Sequence, residues 1–260
     1  MSRRQARLVE PPELPSATPA VLLAAGKGTR MKAHQPKAAV EVGGRPMAAR
    51  VAAAMREAGI SRIIAVVGHR ADDVRAAIGD GVQYVIQDEQ LGTGHAAACA
   101  RDILSGYEGP LVVAYADIPL LSKDDVRQLV AHHLETSAAA TLLTAIFSEP
   151  GTLGRILRDK NGRVTGIVEA RDASREQLEI KEINVGAYCF RAPLLFDVLS
   201  ELTDDNAQRQ YYLTDTIAIL VSRGELVEAV AMERADNGLG VDTVEDLARA
   251  RDLWATGKAL

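Results

Sequence analysis

Residues Val21–Lys37 read VLLAAGKGTRMKAHQPK, and this stretch decides the fold. Its first part, Val21–Ala25, is an apolar run that stops at the glycine-rich segment Gly26–Arg30. A short apolar run that ends in glycines is typical of a buried parallel strand followed by a ligand-binding loop. The stretch therefore predicts an α/β fold with a binding loop at the carboxyl end of its first strand.

The loop has the composition of a polyphosphate site. Gly26 and Gly28 lack a Cβ, so their backbone N–H groups can approach phosphate oxygens closely. Arg30 and Lys37 add positive charge beside the glycines. The segment fits neither the Walker pattern GxxxxGK[ST] nor the dinucleotide fingerprint GxGxxG. We predict a phosphate-binding loop of another kind, with a tight turn and solvated charges as the alternative.

Further apolar runs recur between helix-like segments. Ile63–Val67 and Leu111–Ala116 predict buried strands, and the alanine-rich segment between Pro46 and Gly59 predicts a helix. The 260 residues are 47% hydrophobic but only 4% aromatic, which suits an α/β protein with a parallel sheet. We therefore predict a doubly wound, mainly parallel mixed sheet.

The pattern changes near residue 138. A turn at Asp159–Gly162 lies between two strand-like runs, which predicts a hairpin. We expect one domain over residues 20–255, with a nucleotide-binding half at 20–137 and an inserted antiparallel lobe at 138–235. Residues 1–19 are polar and rich in proline, so we expect a disordered tail.

The net charge of −5 argues against a nucleic-acid-binding or membrane-binding surface. No apolar run approaches the ~20 residues that a membrane span needs. The only cysteines, Cys99 and Cys189, are too few for a disulfide scaffold. These features predict a cytoplasmic protein that binds neither nucleic acid nor membrane.

Polar side chains follow the predicted third strand, Val82–Ile86, which precedes Leu111–Ala116 in the chain. Gln87 and Gln90 lie in the loop after it, where an open α/β sheet places ligand contacts. Each amide carries a donor and an acceptor and can hydrogen-bond to the imide edge of a pyrimidine base. The alternative for both residues is a solvated loop position.

Two aspartates precede predicted helices without being needed to cap them. Asp117 ends the fourth strand, but Ser122 fits the cap position of the next helix; Asp242 likewise precedes Thr243. Carboxylates at such a position are natural Mg²⁺ ligands. An aspartate that bonds turn amides before Pro119 is the alternative for Asp117.

These motifs resemble those of the N-acetylglucosamine-1-phosphate uridyltransferases, within the nucleotide-diphospho-sugar transferase superfamily. The resemblance runs from about residue 20 to about residue 254 and implies the Rossmann-like fold of that superfamily. The fragments that carry it are Leu23–Met31 with Pro36-Lys37, Gln87–Ala96, Asp117–Leu120, Gly154–Ile156, Gly166–Glu169, Glu182–Gly186 and Tyr211–Asp215.

The resemblance implies Mg²⁺-dependent transfer of UMP from UTP to N-acetylglucosamine 1-phosphate, a step of nucleotide-sugar and cell-wall biosynthesis. It implies a catalytic role for Arg30, Lys37 and Asp117, with Asp117 and Asp242 as metal ligands. The implied uridine site consists of Ala25, Gly26, Gln87, Gln90, Gly92 and Thr93. The implied sugar pocket consists of Tyr115, Gly154, Glu169 and Asn184, while Arg30 and Lys37 hold the triphosphate.

One departure from the family pattern bears on the substrate. The family usually has glycine where this chain has Ala116, whose methyl group would lie beside the sugar. Another sugar 1-phosphate, or CTP or dTTP as the donor, therefore stays an alternative, as does a non-catalytic nucleotide-sugar binding protein. The sequence leaves the oligomeric state open.

Overall fold

The computed structural model describes residues 14–15, 18–28, 31 and 35–257. The strands are β1 Pro19–Leu23, β2 Glu41–Val42, β3 Arg45–Pro46, β4 Arg62–Val67, β5 Gln83–Ile86, β6 Pro110–Tyr115, β7 Ala140–Ile146, β8 Arg155–Arg158, β9 Val164–Val168, β10 Glu182–Arg191 and β11 Val227–Ala231. The α-helices are α1 Met47–Ala58, α2 Ala71–Ile78, α3 Thr93–Ala98, α4 Lys123–Thr136, α5 Arg175–Leu178, α6 Ala192–Val198, α7 Asp215–Ser222 and α8 Val244–Ala255. Most of the expected tail, residues 1–19, lies outside the described residues.

A mixed, mostly parallel sheet forms the centre of the molecule, with strand order β11-β7-β10-β6-β1-β4-β5. β1 lies between β4 and β6 and is parallel to both, with Val21 opposite Ile64 on one side and Val113 on the other. β10 is antiparallel to its neighbours β6 and β7, whereas β11 is parallel to β7. The predicted doubly wound, mainly parallel mixed sheet is confirmed.

Alternate residues of β1 enter two different cores. Leu22 packs in the core that includes Met47 of α1 and Leu129 of α4, while Val21 packs in the core that includes Phe190. This alternation follows from the two-residue period of a strand. Since β1 is buried on both faces, its sequence reads as a continuous apolar run. Burial of one such leucine or valine contributes about 1.5–3 kcal/mol to folding.

The predicted antiparallel region does not form a sheet of its own. β7, β10 and β11 extend the central sheet, and the hairpin β8–β9 is attached to it through a single pairing between Ile183 and Arg155. The hairpin turn lies where the sequence predicts it, with Gly162 N–H donating to the Asp159 carbonyl over 3.0 Å. Sequence periodicity predicts these strands but not their partners.

The helix that follows the glutamine-bearing loop is short. It is α3, which covers Thr93–Ala98 and is followed by turns. In these turns the Ala100 and Arg101 amides donate three residues back, which closes tighter loops than an α-helix does. Among the described residues, no helix is both long and apolar enough to cross a bilayer.

Candidate active site

A cavity of about 560 Å³ lies at the carboxyl ends of β1 and β6. It is the position at which an open α/β sheet binds its ligands. Of the site residues predicted from sequence, those that the structure describes all line this cavity. They are Ala25, Gly26, Lys37, Gln87, Gln90, Gly92, Thr93, Tyr115, Asp117, Gly154, Glu169, Asn184 and Asp242. Arg30 lies outside the described residues, so its predicted role stays a prediction.

The glycine loop forms one wall of the cavity. Gly28 has a φ of 61°, a conformation that favours glycine, and a Cβ at this position would lie 2.4 Å from Lys37 Cβ. No side chain fits there without moving the lysine. The loop and Lys37 are therefore packed against each other.

Lys37 lies between two carboxylates. Its Nζ donates to Asp117 Oδ2 and to Asp242 Oδ1, each over 2.5 Å. Burial alone would lower the pKa of Lys37, but the two carboxylates outweigh it, so the pKa is raised and the side chain stays a cation at neutral pH. Because both oxygens bond one nitrogen, they lie within about 5 Å of each other.

Separate groups cap the helices that follow the two aspartates. Ser122 forms a capping box with Asp125 at α4, and Thr243 forms one with Asp246 at α8. Capping therefore leaves the side chain of Asp117 available for the cavity, as the sequence predicts. Oxygen donors of this kind suit a divalent cation, which proteins often hold with one or two carboxylates plus substrate phosphates. Among the described residues, no group of three or more His, Cys, Asp or Glu side chains forms a metal site.

The predicted glutamines hold their own loop together. The side chain of Gln87 is buried, and its Nε2 lies 3.1 Å from the Gly92 carbonyl and 2.9 Å from His95 Nδ1. Gln90 Nε2 donates to the Gln87 carbonyl over 3.0 Å. Since both protons of Gln87 Nε2 have acceptors inside the protein, Gln87 would bind a ligand by accepting a hydrogen bond at Oε1.

The loop is also fixed by a distant segment. The Leu213 amide donates to Thr93 Oγ1 over 2.9 Å, and the Gly94 amide donates to the Tyr211 carbonyl over 2.8 Å. Gly92 has a φ of 122°, and a Cβ there would lie 2.5 Å from the Tyr211 carbonyl oxygen. Close approach of the two backbones thus requires glycine at position 92.

The opposite wall contains Tyr115, Glu169 and Asn184. Thr214 Oγ1 donates to Glu169 Oε1 over 3.1 Å. Burial raises the pKa of Glu169 and that of Tyr115. Asn184 Nδ2 donates to the hydroxyl of Tyr188 over 2.7 Å.

Sequence reasoning missed a polar rim on this wall, formed by Arg171, Gln208, Gln210 and Tyr212. Arg171 donates to Gln208 Oε1 over 3.2 Å, and Gln208 Nε2 donates to the Tyr212 hydroxyl over 2.8 Å. The available signal was a run of polar residues between two apolar helices. A polar run does not indicate which loop of the folded chain it will contact.

A larger cavity of about 920 Å³ lies near the end of β7 and contains none of the predicted residues. Two of its charged lining residues, Arg249 and Asp236, pair with each other over 2.8 Å. The chemistry predicted from sequence is thus concentrated in the smaller cavity.

Comparison with known families gives a match over most of the chain. The model of the MobA-like NTP transferase domain matches residues 20–213. Among curated proteins, the bifunctional protein GlmU of Syntrophotalea carbinolica is 47% identical over 235 residues, which is 90% of this chain and 50% of the relative. The bifunctional protein GlmU of Bacillus cytotoxicus is 45% identical over 231 residues, or 89% of this chain. The chain spans about half the length of these relatives.

Two solved structures share the fold. A UDP-glucose pyrophosphorylase complexed with UDP-glucose superposes with a TM-score of 0.73 at 19% identity, covering 93% of this chain and 99% of the other. A putative glucose-1-phosphate thymidylyltransferase from Bacillus anthracis, in complex with a sucrose, gives a TM-score of 0.73 at 21% identity, with 91% and 95% covered.

Proposed function

Because the chain belongs to the family of MobA-like NTP transferase domains, we propose that it transfers UMP from UTP to N-acetylglucosamine 1-phosphate. The products are UDP-N-acetylglucosamine and pyrophosphate. The GlmU relatives support this choice of substrates through their high identity across nearly the whole chain.

The observation that carries the proposal is the contact of Lys37 with both Asp117 and Asp242 on the floor of the cavity. A cation and two carboxylates beside a glycine loop suit a reaction between two phosphorylated substrates. A protein that only bound a nucleotide-sugar would not need this arrangement.

In the reaction, an oxygen of the sugar 1-phosphate attacks the α-phosphorus of UTP. A new P–O bond forms while the bond to the β-phosphate oxygen breaks, and pyrophosphate leaves with that electron pair. The attacking phosphate is already ionised near neutral pH, so no general base is needed. The protein acts mainly by positioning the reactants and by stabilising charge.

The chain's own residues supply that positioning. The backbone of Gly26 and Gly28 faces the phosphates, and the protonated Lys37 offsets the repulsion between the two anions. Residues 20–137 hold the nucleotide, with Gln87 and Gln90 near the base. Glu169 and Asn184, in residues 138–235, hydrogen-bond to the sugar.

Asp117 and Asp242 would hold Mg²⁺. Both carboxylates line the cavity and meet at one ammonium group, and carboxylate oxygens are the ligands that a divalent cation such as Mg²⁺ prefers. When bound, Mg²⁺ supplies positive charge that stabilises the transferring and leaving phosphates.

A substrate panel tests the proposal. UTP, CTP and dTTP are each combined with N-acetylglucosamine, glucose and galactose 1-phosphates plus Mg²⁺, and pyrophosphate release is measured. We expect the highest kcat/KM for UTP with N-acetylglucosamine 1-phosphate. Preference for another pair would change the substrate assignment. If no pair releases pyrophosphate, the proposed transferase activity is wrong.

Ala116 gives a reason to test other sugars. It is buried and lines the cavity next to Tyr115 and Asp117. Its methyl group would reduce the space for a bulky substituent on the sugar. If glucose 1-phosphate is preferred, Ala116→Gly should move the preference towards N-acetylglucosamine 1-phosphate.

A further inference from the structure

Tyr188 lies behind the wall of the cavity and connects two residues of the site. It is fully buried and does not line the cavity. Its hydroxyl accepts from Asn184 Nδ2 over 2.7 Å and donates to the Tyr115 hydroxyl over 3.4 Å. One buried oxygen therefore contacts two polar side chains of this wall, Asn184 and Tyr115.

An irregularity in β10 makes the contact with Asn184 possible. Residues 184 and 188 of a regular strand would be about 13 Å apart. The pairing of β10 with β7 shifts register between these two residues, and Gly186 between them has a φ of 88°. A Cβ on Gly186 would lie 2.5 Å from the ring of Tyr115. The bulge thus packs Gly186 against the ring of Tyr115 and brings the Asn184 side chain within hydrogen-bond distance of Tyr188.

In this arrangement the Tyr188 hydroxyl donates its single proton to Tyr115, so Tyr115 keeps its own proton for another acceptor. The Tyr115 hydroxyl also forms a hydrogen bond with Thr93. Asn184 Oδ1 accepts from the Gly186 amide over 3.3 Å, and one Nδ2 proton goes to Tyr188. The amide is therefore held in one orientation, with its second Nδ2 proton left to donate.

We propose that Tyr188 is a positioning residue, which orients Tyr115 and Asn184 for hydrogen bonds to the sugar ring of the bound sugar 1-phosphate. The inference rests on the proposed function, because it assigns the sugar to this wall. Tyr188 itself touches no substrate.

The variant Tyr188→Phe removes only the hydroxyl. The ring would stay packed against Tyr115 and Phe190, whose ring centroids lie 5.9 and 5.7 Å away. Asn184 then loses a buried acceptor and Tyr115 loses a donor. We expect KM for the sugar 1-phosphate to rise about ten-fold or more, with KM for UTP changed less than about two-fold.

A matched control and a double-mutant cycle separate positioning from stability. Tyr107→Phe removes another tyrosine hydroxyl, which donates to the Pro110 carbonyl over 2.9 Å. Tyr107 does not line the cavity, so this variant should leave both KM values unchanged. In the Tyr115→Phe background, Tyr188→Phe should add much less to KM for the sugar than it does alone. Tyr188→Met, a second side chain without a hydroxyl, serves if the phenylalanine variant does not fold.

The outcomes distinguish failure of the proposed function from failure of the role assigned to Tyr188. If the wild-type chain releases no pyrophosphate from any substrate pair, the proposed function fails and this inference fails with it. If the wild type is active but Tyr188→Phe keeps the wild-type KM for the sugar, only the inference fails. If Tyr188→Phe raises KM for the sugar equally in the wild-type and Tyr115→Phe backgrounds, the inference is also overturned.

Discussion

The Val241 amide donates to the Asp117 carbonyl oxygen over 2.8 Å, and this bond joins the two acid-bearing segments of the site. Asp117 follows β6, whereas Val241 and Asp242 precede α8 near the end of the described chain. This backbone hydrogen bond joins Asp117 to the residue before Asp242, so it fixes the separation of the two aspartates independently of their side chains. The carboxylates therefore meet at Lys37 through the architecture of the fold as well as through charge.

Removal of either carboxylate should impair the reaction. Asp117→Asn and Asp242→Asn keep the side-chain shape but remove a charge beside Lys37, and we expect kcat/KM to fall at least about 100-fold. The Mg²⁺ concentration for half-maximal activity should rise in both variants. The measurement is pyrophosphate release across a Mg²⁺ titration, with Asp124→Asn, on the exposed first turn of α4, as the control. Near-normal activity of Asp117→Asn would remove this residue from the metal site.

Gly28 should matter to activity in a way that another glycine does not. Gly28→Ala and Gly44→Ala both place alanine at a positive φ, of 61° and 71°, which costs about 1–2 kcal/mol of stability. Only the Cβ at position 28 meets Lys37; the one at position 44 has nothing within 4 Å. We expect both variants to lose unfolding free energy in urea, Gly28→Ala at least as much as Gly44→Ala, but only Gly28→Ala to lose activity. Full activity of Gly28→Ala would contradict the packing of the loop against Lys37.

Asp215 predicts a pH-dependent change in stability. Burial, with a contribution from nearby Asp172, raises its pKa to about 6 in the folded chain. A raised carboxyl pKa means that the folded state favours the protonated form, so this contribution to stability is present near pH 4 and lost as the pH rises through about 6. Asp215→Asn, which stays uncharged, should raise Tm at pH 8 and change it little at pH 4.

Thermal unfolding followed by circular dichroism at both pH values checks this expectation. Asp72→Asn is the control, because the Asp72 side chain is 97% exposed. A gain in Tm for Asp215→Asn that is the same at both pH values would show that its cause is not ionisation.

Local signals in the sequence predicted the elements well. The strand and glycine loop at Val21–Lys37, the capping boxes at Ser122 and Thr243, and the end of α1 at Gly59 are each encoded within a few neighbouring residues. Such signals depend on short-range hydrogen bonds and backbone preferences. They are readable without any knowledge of tertiary contacts.

Long-range pairing was not predictable in the same way. The position of β10 between β6 and β7 depends on side chains that meet only in the folded chain. The same holds for the bulge that brings Asn184 to Tyr188 and for the approach of Tyr211 to Gly92. The apolar pattern of a strand indicates that the strand is buried, but it does not indicate which strands lie beside it.

The most direct test of the account is the effect of Lys37→Ala on pyrophosphate release from UTP and the preferred sugar 1-phosphate. Lys27→Ala, a second lysine of the cavity wall, provides the matched control. We expect Lys37→Ala to lower kcat at least about 100-fold in a folded protein and Lys27→Ala to lower it less than about ten-fold. If Lys37→Ala keeps its kcat and only raises KM for the sugar, the central role assigned to Lys37 between Asp117 and Asp242 is wrong.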